Sequence, residues 1–454
     1  MFIDAFHKIH CVGIGGIGIS AIAKFLLAKG KVVTGSDAFA SNITRELETR
    51  GIKVAIGQAA EHLSADVDLV VYTEAAQVDN VERAEAARRG IKQLGHFDFL
   101  GELSKEYRTI CVTGTNGKST TTAMTGLVFA AAGLDPTVFV GSLVPGWADG
   151  NLRLGQSDIL IVEGDEYKRK MLKLHPDTTL ITNIELDHLD VYKDLADIEA
   201  AFKTLCLQTK RQVFLNVFEH ERGIYVGEGE AKEEYFGLEF IGKPKLPWFW
   251  KPTKRDRVIG DGKQSLQGLE LQVPGEFNMM NALGARSIAR AYGIDDAVIA
   301  QALFDFKGIW RRFEVVGEYA GATIISDYGH HPTAIRGTLA AAKEFYPGRR
   351  LVVLFEPHQH SRTKELFADF VTAFKLADKV ILSEIYHVEG RVASEGEVSS
   401  LDLVKAINLD SVTYAPNLGE AEAQLRSVIQ PGDVVVIMGA GDVDKVARNL
   451  CVKP

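Results

Sequence analysis

The sequence predicts an α/β protein of three domains: a Rossmann-like N-terminal domain, a central P-loop ATPase-type α/β domain and a C-terminal doubly wound Rossmann-like domain. Three observations predict it. An apolar strand, a glycine-rich or polar turn and an amphipathic helix follow one another and then restart, in each of three segments; that alternation builds largely parallel sheets. The chain has 454 residues, roughly three domains at about 150 residues each. Hydrophobic residues make up 46% and charged residues 24%, which is ordinary for domains that each bury a core. Wholesale disorder, a fibrous repeat and a disulfide-stapled miniprotein are excluded.

The first domain is expected over residues 1–105. A strand at His7–Val12 meets the turn Gly13–Gly18 (GIGGIG), and a helix-like stretch follows at Ser20–Ala28. A second strand ends at Asp37, a later one is Leu69–Thr73, and the charged stretch Leu103–Arg108 marks the boundary. The central domain, 106–310, opens on the strand TICV and the loop Thr113–Ser119, followed by the helix TTTAMTGLVFAAAG. Strands at Ile159–Gly164 and Thr179–Glu185 come next, then a helix near Ile198–Leu207; residues 212–275 read as β-rich and irregular. The third domain, 311–454, offers strands at Thr323–Ser326, Leu351–Phe355, Lys379–Ser383, Val412–Tyr414 and Val434–Met438 with helices between them, a doubly wound pattern.

A formal net charge of -9 argues against a general nucleic-acid binder. The N-terminus lacks a basic region followed by an apolar core, so no signal peptide is expected. No stretch reaches about 18 apolar residues, so no membrane span is expected. Cys11, Cys111, Cys206 and Cys451 show no CxxC spacing and read as reduced thiols of a cytoplasmic protein.

The sharpest chemical signal is Gly114-Thr115-Asn116-Gly117-Lys118-Ser119 between a strand and a helix. Glycines let backbone N–H groups close around phosphate oxygens, the helix N-terminus adds positive charge, and Lys118 can reach the β/γ-phosphates. The Ser119 hydroxyl suits Mg²⁺. The full Walker pattern has a further glycine where Val112 stands, so this is a variant loop. GIGGIG fits a tight turn against a diphosphate, with Asp37 placed for a ribose hydroxyl; NAD, FAD or a UDP-sugar all use that geometry, and so does a plain packing turn. Glu163 ends a strand beside Gly164-Asp165-Glu166, and Asn183-Ile184-Glu185-Leu186-Asp187-His188 follows the next strand. Strand C-terminal ends face the ligand crevice of open α/β sheets, where these groups can hold Mg²⁺. Asp327-Tyr328-Gly329-His330-His331-Pro332 and Glu356-Pro357-His358-Gln359-His360-Ser361-Arg362 each follow a strand of the third segment; they suit a small amino acid or a phosphoryl group. A zinc site at His330-His331 is not expected, since no further ligand has a recognisable spacing. Gly439-Ala440-Gly441-Asp442 reads as structural. Lys243–Lys263, with Trp248-Phe249-Trp250, is locally basic and reads as an irregular β insertion with snorkelling lysines.

Taken together, these stretches resemble the Mur ligases of peptidoglycan synthesis, in order and over nearly the whole chain. GIGGIGISAIA is similar to the family's UDP-binding loop, TGTNGKSTT to its phosphate loop, VEGDE and TNIELDHLD to its metal-binding strand ends, and WRRFE, SDYGHHPTAI and PHQHSRTKELF to its third-domain motifs. The resemblance implies an ATP-dependent ligase that joins L-alanine to UDP-N-acetylmuramate through an acyl phosphate, as a monomer or homodimer. It implies catalytic roles for Lys118, His188, His330 and Arg362. It implies ATP contacts from Gly114, Thr115, Asn116, Gly117, Lys118, Ser119, Thr120, Asn278, Asn281, Arg312 and Asp327. Sugar-nucleotide contacts are implied at Gly15, Gly16, Ile17, Gly18, Ser36, Asp37, Thr73 and His96. Amino-acid contacts are implied at Tyr328, His330 and Arg362. Magnesium, or manganese in its place, is expected on Ser119, Glu163 and His188. The register of a carbamoylated lysine seen in some family members falls at Phe202 or Lys203.

The chain also departs from the family. Asn116 and Ser119 stand for a histidine and a threonine, Phe277 for the histidine before Asn278, Gln359 for an arginine, and His96 for another arginine. Glu163-Gly164-Asp165-Glu166-Tyr167 is similar also to the muropeptide-recycling members, whose acceptor is a peptide. Two readings from other classes are an NAD-dependent dehydrogenase built on GIGGIG and a non-catalytic nucleotide switch.

Overall fold

The computed structural model describes residues 1–188, 190–216, 232–236, 258–260, 263–266, 268–386 and 398–452. Trp248-Phe249-Trp250 and most of the basic stretch Lys243–Lys263 lie outside the described residues. The chain forms two compact units: Met1–Ile184 with Ile198–Gly237 and Leu283–Ala302, and Glu185–Asp197 with Leu238–Ala282 and Leu303–Pro454.

The first unit carries two sheets. Strands β1 (Lys8–Val12), β2 (Val32–Asp37), β3 (Lys53–Ile56), β4 (Leu69–Tyr72) and β5 (Lys92–Gly95) form a parallel sheet of order β3-β2-β1-β4-β5. The order reverses at β1, and the turn after β1 therefore opens into a crevice at the strand ends. The second sheet has the order β12-β11-β10-β6-β9-β7-β8. Its members are β6 (Arg108–Thr113), β7 (Thr137–Phe139), β8 (Leu152–Arg153), β9 (Ile159–Gly164), β10 (Thr178–Ile181), β11 (Gln212–Asn216) and β12 (Lys232–Phe236). β6 lies between β9 and β10, so the phosphate loop that follows it is flanked by both acidic strand ends. β10 is shorter than the expected strand to Glu185. It stops at Ile181 because Thr182 and Asn183 turn to bond the phosphate loop instead of continuing the ladder. The edge strands β3 and β5 escape sequence reading, since four residues each are too few to show a periodic pattern.

The second unit holds a small antiparallel sheet, β13 (Val258–Gly260), β14 (Lys263–Leu266) and β15 (Leu269–Leu271), within the stretch expected to be irregular and β-rich. Its main sheet is β16 (Glu314–Tyr319), β17 (Ala322–Asp327), β18 (Leu351–Phe355), β19 (Lys379–Ser383), β20 (Val412–Ala415) and β21 (Val434–Met438), in the order β16-β17-β21-β18-β19-β20. β16 alone pairs antiparallel there. The unbroken apolar runs of β18 and β21 follow from burial on both faces. Leu351, Val353, Phe355, Val434, Val436 and Met438 enter one core layer, and Val352, Leu354, Val435 and Ile437 the other.

Within the first unit, one buried ammonium ties the two sheets. Lys24, on the helix Ile17–Ala28, is 3% exposed. Its Nζ donates to Glu46 Oε2 (3.1 Å), the Asp149 carbonyl (2.9 Å) and Asn151 Oδ1 (3.1 Å). Asn151 Nδ2 donates back to that helix at the Ile17 carbonyl (2.5 Å) and Ser20 Oγ (2.8 Å). Burial pulls the ammonium below its ordinary pKa, and Glu46 opposes that pull. Asn151→Ala leaves a buried charge short of an acceptor and should cost about 3 kcal/mol. The check is the midpoint of urea unfolding, which an unimportant contact would leave unmoved.

Candidate functional site

The phosphate loop is built by close approach. A Cβ at Gly114 would lie 2.1 Å from Thr182 Oγ1, and φ there is +128°, so only glycine fits. The loop is then fastened to the end of β10. Thr115 N–H donates to the Asn183 carbonyl (2.9 Å), Asn116 N–H to Asn183 Oδ1 (2.9 Å), and Asn183 Nδ2 back to the Asn116 carbonyl (2.9 Å). Thr182 Oγ1 donates to the same carbonyl at 2.6 Å. The Asn183 side chain thus serves Asn116 as a neighbouring strand would.

Lys118 opens the helix Lys118–Ala131 and folds back over the loop. Its Nζ donates to the Gly114 carbonyl (2.6 Å) and the Thr115 carbonyl (3.1 Å), and pairs with Glu166 (2.8 Å). Burial opposes the charge, but Glu166 and Asp165 outweigh it and hold the ammonium above its ordinary pKa. Ser119 Oγ donates to Glu163 Oε2 at 3.1 Å, and Gly141 N–H holds Glu163 Oε1 at 2.7 Å. A hydroxyl and a carboxylate converging beside a phosphate loop are hard oxygen donors that fit Mg²⁺, which takes few protein ligands and completes its shell with phosphates and water. Among the described residues no group of three or more His, Cys, Asp or Glu is placed to hold a metal. His188, expected at a second metal site, lies in the second unit. Thr120 is buried on the first turn of the helix. Phe202 is buried on the helix Leu195–Gln208, whereas Lys203 is exposed.

At the first sheet, two of the expected ligand contacts also hold the loop. Ser36 is fully buried, its hydroxyl donates to Glu82 Oε2 (2.5 Å), and its carbonyl takes the N–H groups of Gly13 and Ile14. Asp37 Oδ2 accepts Gly15 N–H (2.8 Å) and Oδ1 accepts Phe39 N–H (3.2 Å). Both residues shape the loop through its backbone. Gly16 caps the helix Ile17–Ala28, and the Thr73 methyl packs against Gly13. His96 lies against Gly18, where a Cβ would come within 2.4 Å of the ring. Burial, then the charge of Lys170, pushes the imidazole down to about 4, so His96 brings no positive charge to the loop.

In the second unit, Arg362 is 6% exposed and pairs with Asp187 Oδ1 through Nη2 (2.8 Å) and Nε (3.1 Å). Burial works against Asp187, but Arg362, His188 and His330 hold its carboxyl well below the usual range. His188 is in the left-handed region at φ +55° and donates its N–H to Asp187 Oδ1 (2.7 Å). A shallow open cleft lies between the Leu186–His188 turn and Gln359, Ser361 and Arg362. His330 Nδ1 faces the Tyr328 carbonyl at 3.0 Å. A carbonyl only accepts, so Nδ1 carries the hydrogen and Nε2 the lone pair. Burial and Arg362 hold His330 well below its ordinary pKa, hence neutral. The Tyr328 ring takes the guanidinium groups of Arg311 (5.0 Å) and Arg312 (4.8 Å) and meets His330 edge-on. Asp327 is 6% exposed, with one oxygen on Phe313 N–H and the other on Gly329 N–H, both at 2.7 Å. Asn278 and Asn281 are buried on the helix Glu276–Ala291, and Asn278 Nδ2 donates to the Pro274 carbonyl (2.6 Å).

Five partners have a structural role that the sequence does not assign to them: Asn183, Glu166, Asp187, Arg311 and Glu356. All sit inside the recognised stretches, yet composition does not single them out from their neighbours. Arg311 and Arg312 are adjacent; only Arg311, 8% exposed, donates to the Gly439 and Gly441 carbonyls. Glu356 holds the other side of that turn by accepting Val443 N–H (3.1 Å), and burial raises its carboxyl to about 7.

Comparison with known proteins agrees with this geometry. Residues 8–108 match the Mur ligase family catalytic domain, 112–289 the Mur ligase middle domain and 311–441 the Mur ligase glutamate ligase domain. The chain belongs to the Mur ligase family. It is 39% identical to the UDP-N-acetylmuramate–L-alanine ligase of Solidesulfovibrio magneticus and to that of Clostridium kluyveri, over 97% of each chain in both cases. Among solved structures, it is similar to the UDP-N-acetylmuramate–alanine ligase of Thermotoga maritima, with a TM-score of 0.78, 28% identity and 98% of both chains covered. It also shares the fold of a murein peptide ligase from Psychrobacter arcticus, with a TM-score of 0.68, 23% identity and 98% of both chains covered.

Two outcomes are expected. Asn183→Ala unfastens the loop and should weaken ATP binding about tenfold, from the loss of roughly 1.4 kcal/mol of positioning; titration calorimetry with unchanged affinity would remove the latch. Glu356 has a folded-state pKa raised from 4.5 to about 7. Its contribution is fully present below pH 4.5 and is lost as pH rises through about 7. At about 1.4 kcal/mol for each pH unit it amounts to roughly 3 kcal/mol. Glu356→Gln should flatten unfolding stability between pH 5 and 8 relative to the parent.

Proposed function

We propose that this chain is an ATP-dependent ligase that forms the amide bond between UDP-N-acetylmuramate and L-alanine. The observation that carries the reading is the phosphate loop with Lys118 folded over it and Ser119 paired to Glu163, in a chain similar along its whole length to ligases of that name. In this reading residues 1–105 take the sugar nucleotide, 106–310 take ATP and 311–454 take the amino acid.

A carboxylate is a poor electrophile toward an amine at neutral pH. Phosphorylation by ATP turns it into an acyl phosphate, the amine attacks, and phosphate leaves from a tetrahedral intermediate. Catalysis is then positioning and charge neutralisation. The loop N–H groups and Lys118 cradle the transferring phosphoryl group. Ser119 and Glu163 hold Mg²⁺ or Mn²⁺, which neutralises phosphate oxygens when bound. The resemblance gives Asn278 and Asn281 to adenine, and Arg312 and Asp327 to further ATP contacts. The acceptor arrives as an ammonium and must shed a proton; His330, neutral with its lone pair on Nε2, takes it. Arg362, fixed by Asp187, and Tyr328 bound the acceptor site, with His188 in the same turn.

A dehydrogenase reading explains only Gly13–Gly18 and leaves the phosphate loop idle. ATP supply places the reaction in the cytoplasm. The test is phosphate release from ATP with UDP-N-acetylmuramate and Mg²⁺, with and without L-alanine. Release should require both co-substrates. Lys118→Ala should reduce it at least 100-fold, the scale of removing one strong electrostatic donor, with the native circular-dichroism spectrum retained. Release from ATP alone would overturn the reading.

A further inference from the structure

The segment Tyr167–Lys173, just after the acidic end of β9, combines three unusual features. Lys168 and Arg169 are both in the left-handed region, at φ +53° and +55°. Two successive side-chain-bearing residues there are strained, and such strain persists where surrounding structure fixes it, commonly at functional sites. Both ends are fixed here. Glu166 is tied to Lys118, and Met171 is fully buried, with Thr113 Oγ1 bonded to its sulfur at 3.4 Å. The segment is also basic: Lys168, Arg169, Lys170 and Lys173 follow an acidic run. Finally, it lies against the helix His96–Ser104 of the first sheet, with Lys173 Nζ 2.7 Å from Asp98.

Lys170 stands at the crossing of the two ligand loops. Its Nζ is 2.7 Å from Asp165 Oδ2, the neighbour of the Glu166 that pairs with Lys118. On the other side it lies 5.8 Å from the Phe97 ring centroid, next to the His96 that covers Gly18. A sugar nucleotide seated on Gly13–Gly18 must send its carboxylate toward Lys118 to meet the phosphoryl donor. Lys170 is joined to both neighbourhoods, by its bond to Asp165 beside the partner of Lys118 and by its charge acting on His96. His96 itself is neutral. An ammonium has three N–H donors, and Asp165 uses one.

We propose that Lys170 binds the lactyl carboxylate of UDP-N-acetylmuramate and aims it at the phosphoryl group held by Lys118. This rests on the function proposed above and names the group within it that receives the reacting carboxylate. Lys170 substitutes charge for solvation while the carboxylate leaves water, and Asp165 keeps the ammonium oriented.

The test compares UDP-N-acetylmuramate with UDP-N-acetylglucosamine, which has the same nucleotide and sugar but no lactyl carboxylate. Titration calorimetry measures both ligands on the full chain and on K170M, K170R and K173M. K173M removes an equal charge from the same segment at its exposed end. The inference expects K170M to lose roughly 10- to 100-fold in affinity for UDP-N-acetylmuramate, the range of a charged hydrogen bond. It expects no change for UDP-N-acetylglucosamine, retention of most of the preference in K170R, and parent behaviour in K173M. Equal loss of both ligands in K170M, or loss of neither, overturns the assignment and leaves the ligase reading standing. A parent chain that binds neither ligand overturns both. If K170M fails to fold, K170Q takes its place, with selective loss of UDP-N-acetylmuramate affinity supporting the inference and equal loss of both ligands, or loss of neither, overturning it.

Discussion

The contact on which the rest of the first unit's chemistry depends is the close approach of the phosphate loop to the end of β10. With 2.1 Å between a Cβ at Gly114 and Thr182 Oγ1, the loop has no room for a side chain and no freedom to drift. Asn183 then converts that closeness into three hydrogen bonds. Everything downstream inherits the position. Lys118 can fold over the loop because the loop is flat against β10, and Ser119 meets Glu163 because the helix begins where the loop ends. The order of the sheet, with β6 between β9 and β10, supplies both walls at once.

The second unit solves a different problem with buried charge. Arg362 and Asp187 are both nearly out of solvent. Such a pair adds little net stability, because desolvation offsets the Coulomb gain. What it adds is geometry. The pair fixes the rim of the cleft, while burial and Arg362 hold His330 neutral against the pull of Asp187. The turn after β21 is held in the same spirit, by Arg311 on one side and Glu356 on the other. A residue class that reads as surface in a sequence is here the internal frame of the site.

The sequence showed much of this and hid the rest for specific reasons. Glycine runs after apolar strands announce their loops, so Gly13–Gly18 and Gly114–Ser119 were visible. The apolar runs of β18 and β21 were visible because two covered faces leave no polar alternation. Partners were hidden because they are fixed by register across strands. Nothing local distinguishes Asn183, which bonds the loop, from Asn281, or Arg311 from Arg312. Ser36 and Asp37 sit where ligand contacts are expected, yet their side chains point to Glu82 and to the loop backbone. Position along the chain fixes which loop a residue belongs to; only the fold fixes which way it faces.

Lys24 carries one more consequence, for the modularity of the chain. Its ammonium is buried by the N-terminal sheet but finds two of its three acceptors, Asp149 and Asn151, beyond residue 105. A fragment ending at that boundary would lose those acceptors and leave the ammonium with Glu46 alone. The segment that looks like a detachable nucleotide-binding module is therefore not autonomous. Its charge balance is completed by its neighbour, so recombining it between homologues requires carrying the 149–151 turn along with it.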